Sequence, residues 1–432
     1  MPVDFFKAQE DVKGPLVYCN RPLSATSIPV TLLHPVFGTF VDDSQNYAPA
    51  ATDYAFVFDL TLSMSGYFSS EDERRDAFIK LLFDYYEIQL SPSEIGAGYR
   101  TDGHVIVGGF IPALTEAKGK FASDGAEPYF QGCTYYVEAY KTAHSEASFG
   151  FAELAATDRP HADVLGPILP PFCNPHDAQL KETIVRFFGA FKNAFHSLKA
   201  YYEVEIPKLR SLTSPSSVQP LFPYPRTYTS LGENPTSVAF QYTRKYDTLR
   251  PTQLIFYGAD EEDDQVGRKL CIKFVRRYSK EAHELCALQG QAPALYGFEK
   301  LAGGWYTIVM EDLEAHIPYN EAHGLSPAQR RLVRSEVLEC MHALHSQNIA
   351  HGDIRGANIL INVHPENGSL SVKLIDFDWA GTAGVVKYLM NVNCKEVRRP
   401  QGAVDGLPIL KEHDLIMVYW ATPMPADSDP VV

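Results

Sequence analysis

Cysteine is scarce and scattered in this chain of 432 residues. Its seven positions (19, 133, 173, 271, 286, 340 and 394) form no C-x-x-C pair and no metal-caging spacing. They read as thiols of a reducing compartment, not as a disulfide framework. Long apolar runs are also missing: no stretch reaches the roughly 18 residues that a bilayer span requires, so no membrane partner is expected. Met1-Pro-Val-Asp-Phe-Phe-Lys7 lacks the basic region, apolar core and cleavage site of a secretory signal. The expectation is a cytoplasmic or nuclear protein that is not secreted, in which the sequon at Asn367 is only a turn. Cations are short as well, with 38 Lys+Arg facing 53 Asp+Glu. The deficit lies at the front: residues 1–180 hold 11 Lys+Arg against 24 Asp+Glu, and the remaining 252 hold 27 against 29. An acidic N-terminal half argues against nucleic acid as a partner, because that binding depends on counterion release by Lys and Arg.

What is present suffices for two domains, since 45% of residues are apolar and 12% aromatic. Residues 1–180 mix short helices and strands and read as an α/β domain. Ser70-Glu-Asp-Glu73 is a capping-box start for a helix through Phe78, Leu81, Leu82 and Tyr85. His104–Val107 and Ile111–Leu114 read as strands around a Gly108-Gly109 turn. Over 181–206, Ile184, Phe187, Phe188, Phe191, Phe195, Leu198 and Tyr202 recur at helical spacing. They predict a long amphipathic helix whose stripe faces its own domain's core. Six prolines between Pro207 and Pro235 mark 207–235 as a linker, which leaves 236–432 as a second domain.

In that domain Ser237–Tyr242, Gln253–Tyr257 and Lys269–Val275 read as strands. Leu270-Cys-Ile-Lys273 sets a lysine on a buried strand, where an ammonium needs a partner. Glu281, on the helix that follows, is the first choice and Glu284 the second. Trp305–Leu313 reads as a strand entering a short connector. Ser326-Pro327 opens a helix that turns Leu332, Val333, Val337, Met341 and Leu344 inward; His342 and His345 on it read as packing residues.

The most informative stretch is Ile349-Ala-His-Gly-Asp-Ile-Arg-Gly-Ala-Asn-Ile-Leu360, followed by Leu374-Ile-Asp-Phe-Asp378. Phosphoryl transfer needs a carboxylate to take the acceptor proton and oxygen ligands to hold Mg²⁺ across the phosphates. Asp353 suits the first task, and Asn358 and Asp376 suit the second. Arg355 stands where a cation can neutralise the transferring phosphoryl group.

From 236 to about 420 the chain resembles the protein-kinase-like superfamily, in particular the fungal-type kinases of mushroom-forming fungi. These have a similar HGDIRxxNIL loop, a similar IDFDWAG segment and a downstream segment like Ile409-Leu-Lys-Glu-His-Asp414. The resemblance implies an α+β protein whose two-lobed kinase-like domain has a small β-rich lobe and a truncated helical lobe. ATP and Mg²⁺ are the implied cofactors, and protein Ser/Thr the implied acceptor. Lys273 and Glu281 would then serve the phosphates, and Glu311 to Leu313 would form the hinge that meets adenine. Asp414 would anchor the catalytic loop from below. Three departures stand beside this. No G-x-G-x-x-G precedes Lys273, and Thr243–Arg250 occupies its place. Asp378 replaces a glycine, in a form also similar to aminoglycoside and choline kinases, which keeps a small-molecule acceptor open. Only about 18 residues follow Asp414. A pseudokinase scaffold is therefore the alternative. Gly352 in place of an arginine implies no requirement for activation-loop phosphorylation.

In the first domain, Thr101-Asp-Gly103, Thr115-Glu-Ala-Lys118 and Gln131 resemble the PD-(D/E)XK, restriction-endonuclease-like fold. That likeness implies Asp102 and Glu116 holding Mg²⁺ while Lys118 positions water. The plainer reading of the same residues is an exposed ion pair on a strand.

Overall fold

The computed structural model describes residues 7, 9–10, 14–95, 99–115, 133–135, 161–167, 169–170, 176–211, 222–246, 252–261, 267–364 and 369–424. The chain divides into two units. One comprises 1–225 with 249–252 and 302–304; the other comprises 226–248, 253–301 and 305–432.

The first unit contains α1 (Pro35–Asn46), α2 (Ala51–Met64), α3 (Glu71–Tyr86), the hairpin β1 (Gly103–Val107)–β2 (Phe110–Thr115) and α4 (Ala178–Ser211). Ser70 caps α3 by accepting the Glu73 amide at 3.1 Å. The return arm differs from a capping box, because the Glu73 carboxylate takes the amide of Ser69 at 2.8 Å. Val107 pairs with Phe110 across Gly108 and Gly109, both at positive φ, which suits a tight two-residue hairpin turn. Ile184, Val185 and Phe195 of α4 are buried with Phe56, Val57 and Leu60 of α2 and with Leu82 and Tyr86 of α3. The aromatic stripe thus covers the core of its own unit.

The expected linker at 207–235 needs correction at both ends. Helix α4 continues through Pro207 to Ser211. A proline removes one helical hydrogen bond, and Ile206 beside it, 2% exposed, holds that turn down by burial. At the other end β3 (Thr227–Thr229) already pairs with the next strand, so the second unit opens at Arg226 instead of 236.

The second unit is built on a six-stranded antiparallel sheet. Its strands are β3, β4 (Ser237–Lys245), β5 (Ile255–Asp260), β6 (Lys269–Val275), β7 (Leu295–Leu301) and β8 (Trp305–Glu311), in the spatial order β3-β4-β5-β6-β8-β7. Helix α5 (Lys280–Leu288) follows β6 and is capped by Ser279. The remainder holds α6 (Pro327–Ser346), the hairpin β9 (Ile359–Val363)–β10 (Leu370–Leu374) and α7 (Lys411–Ala421). Ser326 and Gln329 cap α6 reciprocally at 3.2 and 3.0 Å. Val333, Val337, Met341 and Leu344 pack against Ile359, Ile361, Leu374, Phe377, Met417 and Val418. Leu332, expected inward, is 41% exposed. It precedes Val333 by one residue and so sits about 100° around the helix from that stripe.

Candidate active site

Strand β6 alternates. Leu270, Ile272 and Phe274 bury one face at 2% exposure or less, which turns Lys273 to the other. The strand is internal, with Ile255 and Ile308 paired opposite Lys273 on its two sides. The Lys273 ammonium lies 2.6 Å from Oδ1 of Asp376 and 2.6 Å from Oδ1 of Asp378. Glu281, the expected partner, is not among its contacts: it sits in the first turn of α5 and receives the Ser279 hydroxyl at 3.5 Å. Glu284 pairs with Lys280. The reason is geometric and electrostatic. Two carboxylates on one turn reach the ammonium together, while Glu281 stays where the helix N-terminus favours negative charge.

The two carboxylates are split in acidity by these surroundings. Burial works against ionisation of Asp376, but the charge and hydrogen bond of Lys273 outweigh it and hold the group near 2. For Asp378 burial dominates; Lys273 counters it, the Asp376 charge adds to it, and the group rises to about 7. Burial also opposes the Lys273 ammonium, yet the two acids keep it protonated, well above its usual range.

Asp376 has a left-handed backbone with φ of 72°, a conformation a non-glycine residue adopts only when its surroundings impose it. They do so from both sides. The Ile375 amide donates to the Asn358 carbonyl at 3.0 Å, and the Ser279 amide donates to the Phe377 carbonyl at 3.1 Å. Phe377 is buried between His283, stacked at 5.0 Å, and His351 at 5.2 Å. His283 lies 2.8 Å from the Pro293 carbonyl through Nε2 and 2.7 Å from the Tyr278 hydroxyl through Nδ1. A carbonyl only accepts, so Nε2 carries the proton and Nδ1 receives the tyrosine.

The loop before β9 faces this pair. Asn358 Nδ2 donates to the Asp353 carbonyl and to Asp353 Oδ2, both at 2.9 Å, which leaves the amide Oδ1 as its remaining donor to a cation. Arg355 Nε lies 3.1 Å from Asp353 Oδ2, and its Nη2 lies 4.0 Å from Asp376 Oδ2. Beneath the loop, the fully buried Asp414 accepts the amides of His351 and Gly352 at 2.8 and 2.7 Å and contacts His345 Nε2 at 3.0 Å. Gly352 has φ of +83°, and a Cβ there would meet Ile409 at 2.9 Å, so the position takes no side chain without strain.

Sequence reasoning missed Arg399. Its Nη2 lies 2.7 Å from Asp353 Oδ1 and its side chain is 5% exposed. Nothing local marks it, because the chain returns to the loop only through the tertiary fold. The expected hinge residues stand at the end of β8. The Glu311 amide donates to the Ala294 carbonyl at 2.9 Å and its carboxylate accepts the Ala294 amide at 3.1 Å. The Leu313 carbonyl accepts from His316. In the first unit Asp102 is half-buried just ahead of β1, while Glu116 and Lys118 lie outside the described residues.

The donors fit Mg²⁺, a hard ion that takes one or two protein oxygens and completes its shell with phosphates and water. Among the described residues no group of three or more His, Cys, Asp or Glu forms a self-sufficient cage. One carboxylate (Asp376) and one amide (Asn358) match that sparse mode.

Residues 301–395 match the family model described as protein kinase domain. The match contains Asp353, Asn358 and Asp376, and it stops short of Lys273, Arg399 and Asp414. Among solved structures, the PK-1 kinase of the Cydia pomonella granulovirus is 14% identical, with a TM-score of 0.29. The alignment covers 35% of this chain and 55% of the viral one. Vaccinia related kinase 3 is 15% identical over 47% of this chain and 68% of its own, with a TM-score of 0.32. The Rad53 kinase domain with SCD2, solved in complex with AMPPNP, is 22% identical over 33% of this chain and 51% of its own, with a TM-score of 0.24. The family match supports a protein-kinase-like, mixed helix-and-sheet domain in the second unit. No helix among the described residues is long and apolar enough to cross a membrane.

Proposed function

We propose that the second unit is an ATP- and Mg²⁺-dependent phosphotransferase of the protein-kinase type that acts on Ser/Thr hydroxyls of a protein. One observation carries this reading. Residues from three separate stretches converge: Lys273 on Asp376, Arg355 between Asp376 and Asp353, and Asn358 on Asp353. Asp353 would orient the acceptor hydroxyl and take its proton. Arg355, which spans both acids, would offset the charge that develops on the transferring group. Asn358 Oδ1 and Asp376 Oδ2 would hold Mg²⁺, which when bound neutralises phosphate charge. Lys273 would meet a phosphate oxygen by exchanging one of its carboxylates. Asp378 is the better one to exchange, because burial and the Asp376 charge make its carboxylate the less favoured anion of the two.

A second reading, a scaffold with weak or no nucleotide binding, draws on one feature: Lys273 is already engaged by two carboxylates. The two readings separate on Asp353→Asn, with radiolabelled γ-phosphate transfer to casein as readout. A phosphotransferase loses about 100-fold or more in turnover while keeping its nucleotide affinity. Wild-type protein that transfers no more than the variant favours the scaffold.

A further inference from the structure

We infer that Arg399 is a positioning residue for Asp353, holding the proton-accepting carboxylate from the side opposite Asn358; this rests on the phosphotransferase reading above. The two oxygens of Asp353 are treated differently. Oδ2 accepts a hydrogen bond from Asn358 Nδ2 at 2.9 Å and forms an ion pair with Arg355 Nε at 3.1 Å that is not aligned as a hydrogen bond. Oδ1 forms an ion pair with Arg399 Nη2 at 2.7 Å that is not aligned as a hydrogen bond, and among the described residues it has no hydrogen-bond partner. Charge from Arg399 therefore fixes the carboxylate on its buried side.

The arginine is itself seated with care. Nη1 lies 3.4 Å from the Gly352 carbonyl and 3.8 Å from Met417 Sδ, and the guanidinium sits 5.1 Å from the centre of the Trp379 ring. Its Nε is buried and has no hydrogen-bond partner among the described residues. A buried guanidinium that is not fully satisfied is costly, and the cost is offset chiefly by its pairing with Asp353. Trp379 follows directly on the Asp376–Asp378 turn, so one side chain links the loop of Asp353 to the segment of Asp376. The positive charge beside Asp353 reaches it from a distant part of the chain, and position 352, with no room for a side chain, contributes its carbonyl to hold that charge.

The test uses the full chain with Mg²⁺ and ATP and with casein as the acceptor probe. Arg399→Met keeps an apolar stem on Trp379 and removes the charge; Arg399→Lys keeps the charge and loses the fork. Arg399→Met is expected to lower kcat by about 10- to 100-fold. The KM for ATP and the Mg²⁺–ATP melting shift should stay within about twofold of wild type, and Arg399→Lys should recover most of the kcat. Wild-type kcat in Arg399→Met overturns the inference. So does a loss of kcat in both variants together with the nucleotide shift, which marks a merely structural arginine. If the wild type itself shows neither shift nor transfer, the phosphotransferase reading falls and takes this inference with it; an active wild type indifferent to Arg399→Met sinks this inference alone.

Discussion

His283 shows how a single buried residue imposes a pH dependence on the fold. It is fully buried, and burial first of all, aided by the nearby Lys273 charge, lowers its pKa from the ordinary 6.5 to about 4 against the pull of the Pro293 carbonyl. Between pH 6.5 and 4 the unfolded chain therefore binds the extra proton, and stability falls as pH drops through that window. The contribution is present in full above 6.5 and is worth roughly 3 kcal/mol. Denaturant unfolding of wild type and His283→Gln at a series of pH values isolates it, since other groups titrate in both. The wild type should lose that much more than the variant on acidification; parallel curves would contradict the assignment. At this scale the meeting of Lys273 with Asp376, and of Asn358 with Asp353, involves residues that each lie in a short motif and so could be picked out from the sequence. The partners of Lys273 could not. Lys273 finds Asp376 and Asp378 more than a hundred positions away, whereas proximity in sequence favours Glu281. Arg399 is invisible for the same reason.

Among the elements, the loop of Asp353 is held by α7 through one carboxylate. Asp414→Ala would leave two buried amides without an acceptor, those of His351 and Gly352. At 1–3 kcal/mol for each orphaned donor the expected loss is roughly 2–6 kcal/mol in urea unfolding. A loss below about 1 kcal/mol would show that the loop holds itself. Ser326→Ala removes half of the α6 capping box and should cost about 1 kcal/mol, with little effect on nucleotide affinity. Calorimetry on that variant checks both halves of the statement. Helix α6 was legible because its start is local chemistry, a serine and a proline ahead of an apolar stripe. Strand β7 was not: Leu295–Leu301 carries a glycine where a strand former would be expected. Gly297 is there because the Tyr228 ring packs on it, and a Cβ would lie 2.7 Å from that ring. Helix α4 outran its expected end because burial of Ile206 matters more than the single hydrogen bond Pro207 gives up.

For the molecule as a whole, apolar content and the proline-rich stretch pointed to two units, and tertiary pairing moved the boundary to Arg226. The charge asymmetry belongs to this scale as well, with most of the net −15 carried by residues 1–180. The proposed phosphotransferase requires Lys273, Asn358 and Asp376 to make a metal-dependent nucleotide site together. Thermal denaturation with and without ATP and Mg²⁺, on wild type and Asp376→Ala, tests it most directly. Nucleotide at a hundred times its dissociation constant should add about 2.7 kcal/mol of stability to the wild type. The expected result is that shift in the wild type, dependent on Mg²⁺, and its loss in Asp376→Ala. No shift in the wild type at millimolar ATP, or an equal shift in the variant, would contradict it.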